Sequence, residues 1–189
     1  MRTFIAQRPR TFMAGAALGL LLPLVALACG DKLVVLGGGV PFERVKQSQH
    51  PGKLVLYAEP NSRLRVANDQ LRLSTTLSRL GHTVVVVQSR EELDRALKEG
   101  NADLVLMDWT DAVQMQSELA SAPSTPSVLS VLYEPSATEV ASAEEQLQCV
   151  AETSKRKDLN VMRTVEQMME TREKGLPADC PRVSDRRQI

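Results

Sequence analysis

Between residues 53 and 175, the hydrophobic residues follow two alternating patterns. One pattern is a set of five short runs that are rich in branched aliphatic residues and bounded by glycine, proline or small polar residues, as buried strands are. The predicted strands cover residues 53–58, 83–87, 103–108, 127–133 and 149–151. The third run has no polar residue between Asp103 and Asp108, which indicates burial on both faces, as in the middle of a parallel sheet.

Between these runs, apolar residues recur every three or four positions, which predicts amphipathic helices. The predicted helices cover residues 62–80, 89–99, 111–120, 136–147 and 158–174. Two of them open with a Ser-x-x-Glu capping box, at Ser89 and at Ser136. Strict alternation of strand and helix predicts right-handed crossovers and a parallel sheet. We therefore expect an α/β fold with three layers (helices, sheet, helices), in which five parallel strands take the flavodoxin-like order 2-1-3-4-5.

The first 28 residues have a different pattern. Residues 1–11 carry three arginines and no acid, residues 12–27 are apolar, and Ala26-Leu27-Ala28 precedes Cys29. A basic start, a short apolar stretch and small residues before a cleavage point are typical of a bacterial secretory signal. The apolar stretch is shorter than the roughly 20 residues that a membrane-spanning helix needs.

The cysteine that follows Ala-Leu-Ala resembles the one in the lipobox of bacterial lipoproteins. That resemblance implies cleavage before Cys29 and acylation of its thiol, and two or three acyl chains would hold the protein stably on a membrane. Gly30 stands in place of an aspartate, which the same resemblance associates with the periplasmic side of the outer membrane rather than the inner one. An ordinary signal peptide cleaved near Ala28 and an uncleaved anchor are the alternatives.

These patterns divide the chain into four parts. They are a signal segment (1–28), a lipidated tether (29–52), the α/β domain (53–175) and a carboxyl-terminal tail (176–189). The tether contains three consecutive glycines at positions 37–39, but neither GxGxxG nor a following GK[ST] is present, so a phosphate-binding loop is not indicated.

Charge and aromatic content limit the function further. The chain has 23 basic and 23 acidic residues, and removal of the signal segment with its three arginines leaves a formal charge of −3. Trp109 is the only tryptophan. A slightly acidic, aromatic-poor chain is not suited to bind nucleic acid. No CxxC or GxSxG motif occurs, so we predict neither an enzyme nor a bound cofactor.

The order of the elements and the segment 53–174 resemble the receiver domain of bacterial response regulators. Residues 103–108 are similar to the receiver's third strand, whose closing aspartate, here Asp108, accepts a phosphoryl group in that family. The resemblance also implies two acids after the first strand that hold Mg²⁺, a hydroxyl after the fourth strand and a lysine after the fifth. In this chain Ala58-Glu59 supplies only one of the two acids.

The other two positions also depart from the family pattern. The hydroxyl position, at the end of the fourth strand, falls on Val131 or nearby, and Ser130 is one residue off and would point to the opposite face. The lysine position falls on Glu152 or on Lys155, depending on how the elements are counted. We therefore expect Glu59 and Asp108 to be remnants of a receiver site, with Asp108 closing its strand and capping the next helix.

The expected function is a protein-interaction module without catalytic residues or a metal site. The receiver resemblance points to the last strand and the last two helices as the surface that would bind a partner. One alternative is a small molecule or divalent cation at the carboxyl edge of the sheet, bound by Glu59, Asp108 and Glu134. A purely structural envelope lipoprotein is the other alternative.

Cys149 and Cys180 remain once Cys29 is lipidated, and two thiols in an oxidising compartment tend to pair. The last predicted helix runs antiparallel to the strands and returns the chain to the edge where residue 149 begins its strand. We therefore predict a disulfide between Cys149 and Cys180, with two free thiols as the alternative.

Overall fold

The computed structural model describes residues 47–99, 101–155, 159–177 and 180. The predicted signal segment, the lipidation residue Cys29 and tether residues 30–46 lie outside the described residues. Of the predicted tail, residues 176, 177 and 180 are described.

Five strands form one sheet in which every neighbouring pair is parallel, in the order β2-β1-β3-β4-β5. The predicted strand order and flavodoxin-like topology are therefore confirmed. The last strand begins one residue later than predicted and extends two residues further, because the long β4 offers Leu132 and Tyr133 as ladder partners for Glu152 and Thr153. The strands are β1 Lys53–Tyr57, β2 Thr83–Val87, β3 Leu104–Asp108, β4 Ser127–Tyr133 and β5 Val150–Thr153.

Six helices are present in the described ranges, one more than predicted. The fourth begins directly after β3, two residues earlier than predicted. None of the helices in the described ranges is long and apolar enough to cross a bilayer. The helices are α1 Arg63–Leu71, α2 Leu73–Arg79, α3 Arg90–Lys98, α4 Trp109–Ser121, α5 Ala137–Gln146 and α6 Leu159–Glu173.

The prediction of one continuous helix over residues 62–80 is wrong, because Arg72 adopts a left-handed conformation (φ 52°) and separates α1 from α2. The break brings two sets of apolar residues onto the same core. Leu73 follows Leu64 by nine positions, so an unbroken helix at about 100° per residue would point these two side chains in opposite directions. With the break, both leucines are fully buried. The side chain of Asn68 accepts a hydrogen bond from the backbone N–H of Ser74 (2.9 Å) across the break.

Helices α1, α2 and α6 cover one face of the sheet, and α3, α4 and α5 cover the other. On the face covered by α1, α2 and α6, the strand register places Leu56, Leu106 and Leu129 side by side on three adjacent strands. On the second face Val55 and Val105 are neighbours in the same way. The predicted three-layer architecture is confirmed, and β3 is buried on both faces, as its sequence predicts.

Residues 47–52, which precede β1, are bound to the amino edge of the sheet. Ser48 donates its backbone N–H to the carbonyl of Leu80 (2.8 Å) and its hydroxyl to Glu166 (3.0 Å). The buried imidazole of His82 accepts from the N–H of Gly52 at Nδ1 (3.3 Å) and contacts Glu166 through Nε2 (3.0 Å). Because Nδ1 accepts, Nε2 is the nitrogen that donates to the carboxylate. The end of the predicted tether is therefore part of the folded domain.

Cys149 and Cys180 form a disulfide, with their Cα atoms 5.3 Å apart. Cys149 lies just before β5, at the amino edge of the sheet, and is buried. Helix α6 returns the chain to that edge, where Gly175 takes a left-handed conformation (φ 66°) and ends the helix. The predicted pairing is confirmed.

Candidate functional site

The carboxyl edge of the sheet brings together the ends of β1 and β3, as expected for the binding edge of a doubly wound fold. Asp108 is the last residue of β3 and is 5% exposed. Its carboxylate accepts hydrogen bonds from the backbone N–H of Thr110 (3.3 Å) and from the Thr110 hydroxyl (3.2 Å). Asp108 is thus the N-cap of α4, and its carboxylate satisfies a donor that the helix leaves free.

The second predicted acid, Glu59, lies just beyond β1 and is half-buried. Its carboxylate accepts a hydrogen bond from the hydroxyl of Tyr57, the buried last residue of β1. Burial, together with the nearby negative charge of Glu59, raises the pKa of Tyr57 well above the usual range, so Tyr57 remains a neutral donor. Ala58, where the receiver resemblance requires the second acid, is buried and donates its N–H to the carbonyl of Val87 (2.8 Å).

A third acid, Asp111, joins this site and was not predicted to do so. Burial, and then the negative charges of Asp108 and Glu59, together raise the pKa of Asp111 from 3.8 to about 6. The sequence signal was the i, i+3 spacing between Asp108 and Asp111 at a helix start. It was missed because the helix was predicted to begin at residue 111, two residues late.

Replacement of Asp111 by asparagine is expected to stabilise the protein by about 1 kcal/mol at neutral pH, since the half-exposed charge is partly screened. The folded-state pKa lies above the unfolded value, so the folded protein binds this proton more tightly. The stability of the natural chain relative to the variant therefore rises as the pH falls from about 7 to about 4. Urea unfolding of both proteins across this range measures the difference. Glu145→Gln, at an exposed position, is the control and is expected to show no pH-dependent difference in stability. A difference for Asp111→Asn that does not change with pH would contradict the raised pKa of Asp111.

The end of β4 presents a valine where the receiver resemblance requires a hydroxyl. Val131 is in register with Asp108 and is buried in the core beneath α1 and α6. Ser130 is in register with Met107. Val128 and Leu132 point to the same side of β4 as Ser130, and both pack on the face of the sheet opposite to Val131. Ser130 therefore faces away from the Val131 side, as the sequence predicts.

Glu134 does not join the other acids. It follows β4 in a left-handed conformation (φ 47°) and interacts with Tyr133, whose pKa is raised first by burial and then by the negative charge of Glu134. The Tyr133 hydroxyl donates to Gln70 (2.6 Å). Within the described ranges, no three acidic, histidine or cysteine side chains are arranged to hold a metal ion. The described residues therefore give no support to a divalent cation held jointly by Glu59, Asp108 and Glu134.

The two candidates for the lysine position lie at different depths. Glu152 is a half-buried residue within β5 and is in register with Leu132, whereas Lys155 is exposed two residues beyond the strand. Arg90, whose positive charge reaches Tyr57, forms an ion pair with Glu118. The carboxyl edge is thus dominated by the carboxylates of Glu59, Asp108 and Asp111, which disfavours the approach of an anion such as a phosphoryl donor.

Comparison of the chain with protein-family models, with curated proteins and with solved structures finds no match in any of the three.

Proposed function

We propose that this protein is a lipid-anchored component of the bacterial cell envelope whose receiver-like domain binds a protein partner and does not accept a phosphoryl group. The observation that carries the proposal is the role of Asp108, whose buried carboxylate caps α4 through Thr110. Ala58 and Val131, at two positions where phosphoryl transfer needs an acid and a hydroxyl, support the same reading.

The arrangement of the amino-terminal part supports a tethered domain. Residues 47–52 are hydrogen-bonded to the domain, and a chain acylated at Cys29 has 18 residues, 29–46, before this segment. Such a segment spans at most about 60 Å when extended. This reach lets the domain contact proteins at or near the membrane surface.

The proposed partner surface is formed by α5, β5 and α6. In the described ranges, the large apolar side chains that are exposed lie elsewhere, namely Val66 on α1, Val86 on β2 and Leu176 beyond α6. The proposed surface instead exposes charged side chains such as Glu145, Lys155 and Arg163. Binding there is polar and is weakened by salt.

Site-specific photocrosslinking in intact membranes tests the proposal. A photoreactive amino acid at Glu145 or Arg163 is expected to give one discrete adduct with a membrane-associated protein. The same amino acid at Glu91 or Lys98, exposed positions on α3, serves as the matched control and is expected to give none. Replacement of Cys29 by serine should release the protein from the membrane and abolish the adduct. Equal adducts from both surfaces, or none from either, would contradict a partner on the α5–β5–α6 surface.

The phosphorylation part of the proposal has a separate test. Incubation of the protein with an acyl phosphate and Mg²⁺, followed by intact mass measurement, is expected to give no modification. A phosphoryl adduct that disappears in Asp108→Asn would count against the proposal directly.

A further inference from the structure

A cleft with a volume of about 260 Å³ opens between α4 and the segment that joins α5 to β5. Its floor is formed by Ser127, Val128 and Ser130 of β4, on the face of the sheet that α4 covers. Gln116 on α4 donates its side-chain N–H to the carbonyl of Gln146 at the end of α5 (3.0 Å), which links the two sides. The lining comprises Ala112, Gln116, Leu119, Ala120, Pro126, Ser127, Val128, Ser130, Leu147, Gln148 and Cys149.

Ser130 at the floor of the cleft is the unusual residue. It is 1% exposed, and its hydroxyl makes no hydrogen bond within the described ranges. Val128 and Leu132, its neighbours on the same side of β4, are apolar and pack into two separate parts of the core. A buried hydroxyl without a hydrogen-bond partner destabilises the fold by about as much as the loss of a hydrogen bond. A ligand in the cleft that pairs with Ser130 would remove this destabilisation.

The lining also sets the chemistry of a ligand. Every residue around the cleft is uncharged, although 24% of the chain is charged. A charged ligand would lose its hydration without gaining an ion pair, so a neutral ligand is favoured. The volume lies above the about 150 Å³ of a cavity that accepts benzene and just below the roughly 300–1,000 Å³ of drug-binding pockets.

We propose that this cleft binds a small neutral organic molecule with an apolar body of one ring or similar size and one hydroxyl or carbonyl group that pairs with Ser130. The hydroxyl of Ser130 reaches the ligand by rotation about χ1, for which serine has three staggered positions. Leu119, Val128 and Leu147 contact the apolar body. Asp108 does not line this site, which borders the proposed partner surface at the segment between α5 and β5.

Benzyl alcohol is the probe for the first test, and benzoate and benzylammonium are its charged counterparts. In NMR titrations of the full chain with the disulfide intact, benzyl alcohol is expected to give saturable shifts in residues that line the cleft, with Kd on the order of 1 mM. The charged counterparts are expected to bind at least about tenfold more weakly, which corresponds to 1.4 kcal/mol. Shifts that do not saturate, or equal affinity for all three compounds, would overturn the proposal.

Three variants then test the residues. Ser130→Ala is expected to weaken benzyl alcohol binding about fivefold and to raise the melting temperature, because the unpaired hydroxyl is removed. Ser124→Ala is the matched control, since its hydroxyl also lacks a partner in the described ranges but does not line the cleft. Ala120→Leu, at an exposed position on the rim, fills the cleft and is expected to abolish binding. Unchanged affinity in Ser130→Ala, or retained binding in Ala120→Leu, would refute the assignment.

Discussion

Replacement of Cys180 by serine is expected to lower the free energy of unfolding by about 3–4 kcal/mol. The disulfide joins residues separated by 31 positions, and a closed loop of this length reduces the conformational entropy of the unfolded chain by about that amount in the chain-entropy model. Cys149, which stays in the variant, is buried in an apolar environment and retains its packing as a small hydrophobic residue. The loss is therefore assigned to the cross-link.

Urea unfolding with and without reductant measures this effect. The natural chain in reductant should unfold at the same urea concentration as Cys180→Ser, and reductant should leave the variant unchanged. If reduction of the natural chain does not shift the midpoint, the disulfide does not contribute to stability.

Replacement of Leu106 by alanine is expected to cost about 3–5 kcal/mol. Leu106 is fully buried in the central strand β3 and lies between Leu56 and Leu129, in a layer covered by helices. Truncation leaves a cavity that the neighbouring strands cannot close, because backbone hydrogen bonds fix their spacing. Either thermal or urea unfolding measures the loss.

The same substitution at an exposed leucine provides the control. Leu176 follows α6 and is 58% exposed, so Leu176→Ala is expected to change the unfolding free energy by less than about 0.5 kcal/mol. Comparable losses in the two variants would contradict the central position of Leu106 in the core.

Asp108 and Asp111 show how carboxylates at the end of a strand can serve the fold itself. The strand that ends in Asp108 is a complete core strand, since its five residues are all buried. The carboxylate at its end serves the start of α4, and Asp111 in the first turn of the same helix adds a second negative charge beside it. The capping of α4 is by itself a structural role for this aspartate.

The sequence by itself determined the features that depend on local periodicity and on chain direction. The five apolar runs marked the strands, and the two Ser-x-x-Glu patterns marked the starts of α3 and α5, because each pattern lies within a single element. Strand–helix alternation then left few topologies, and the flavodoxin-like order is the one found. The pairing of Cys149 with Cys180 followed from the antiparallel return of the last helix.

Only the tertiary structure decided the features that depend on distant neighbours. The break at Arg72 follows from the need to bury both Leu64 and Leu73 on one core, which no window of sequence reveals. The raised pKa of Asp111 depends on the burial of its site and on the charges of Asp108 and Glu59, and Glu59 follows a different strand, β1. The cleft over Ser130 likewise exists because α4 and the segment between α5 and β5 leave a gap between them. Burial and charge proximity are properties of the assembled layers, so they emerge only when residues far apart in the chain are brought together.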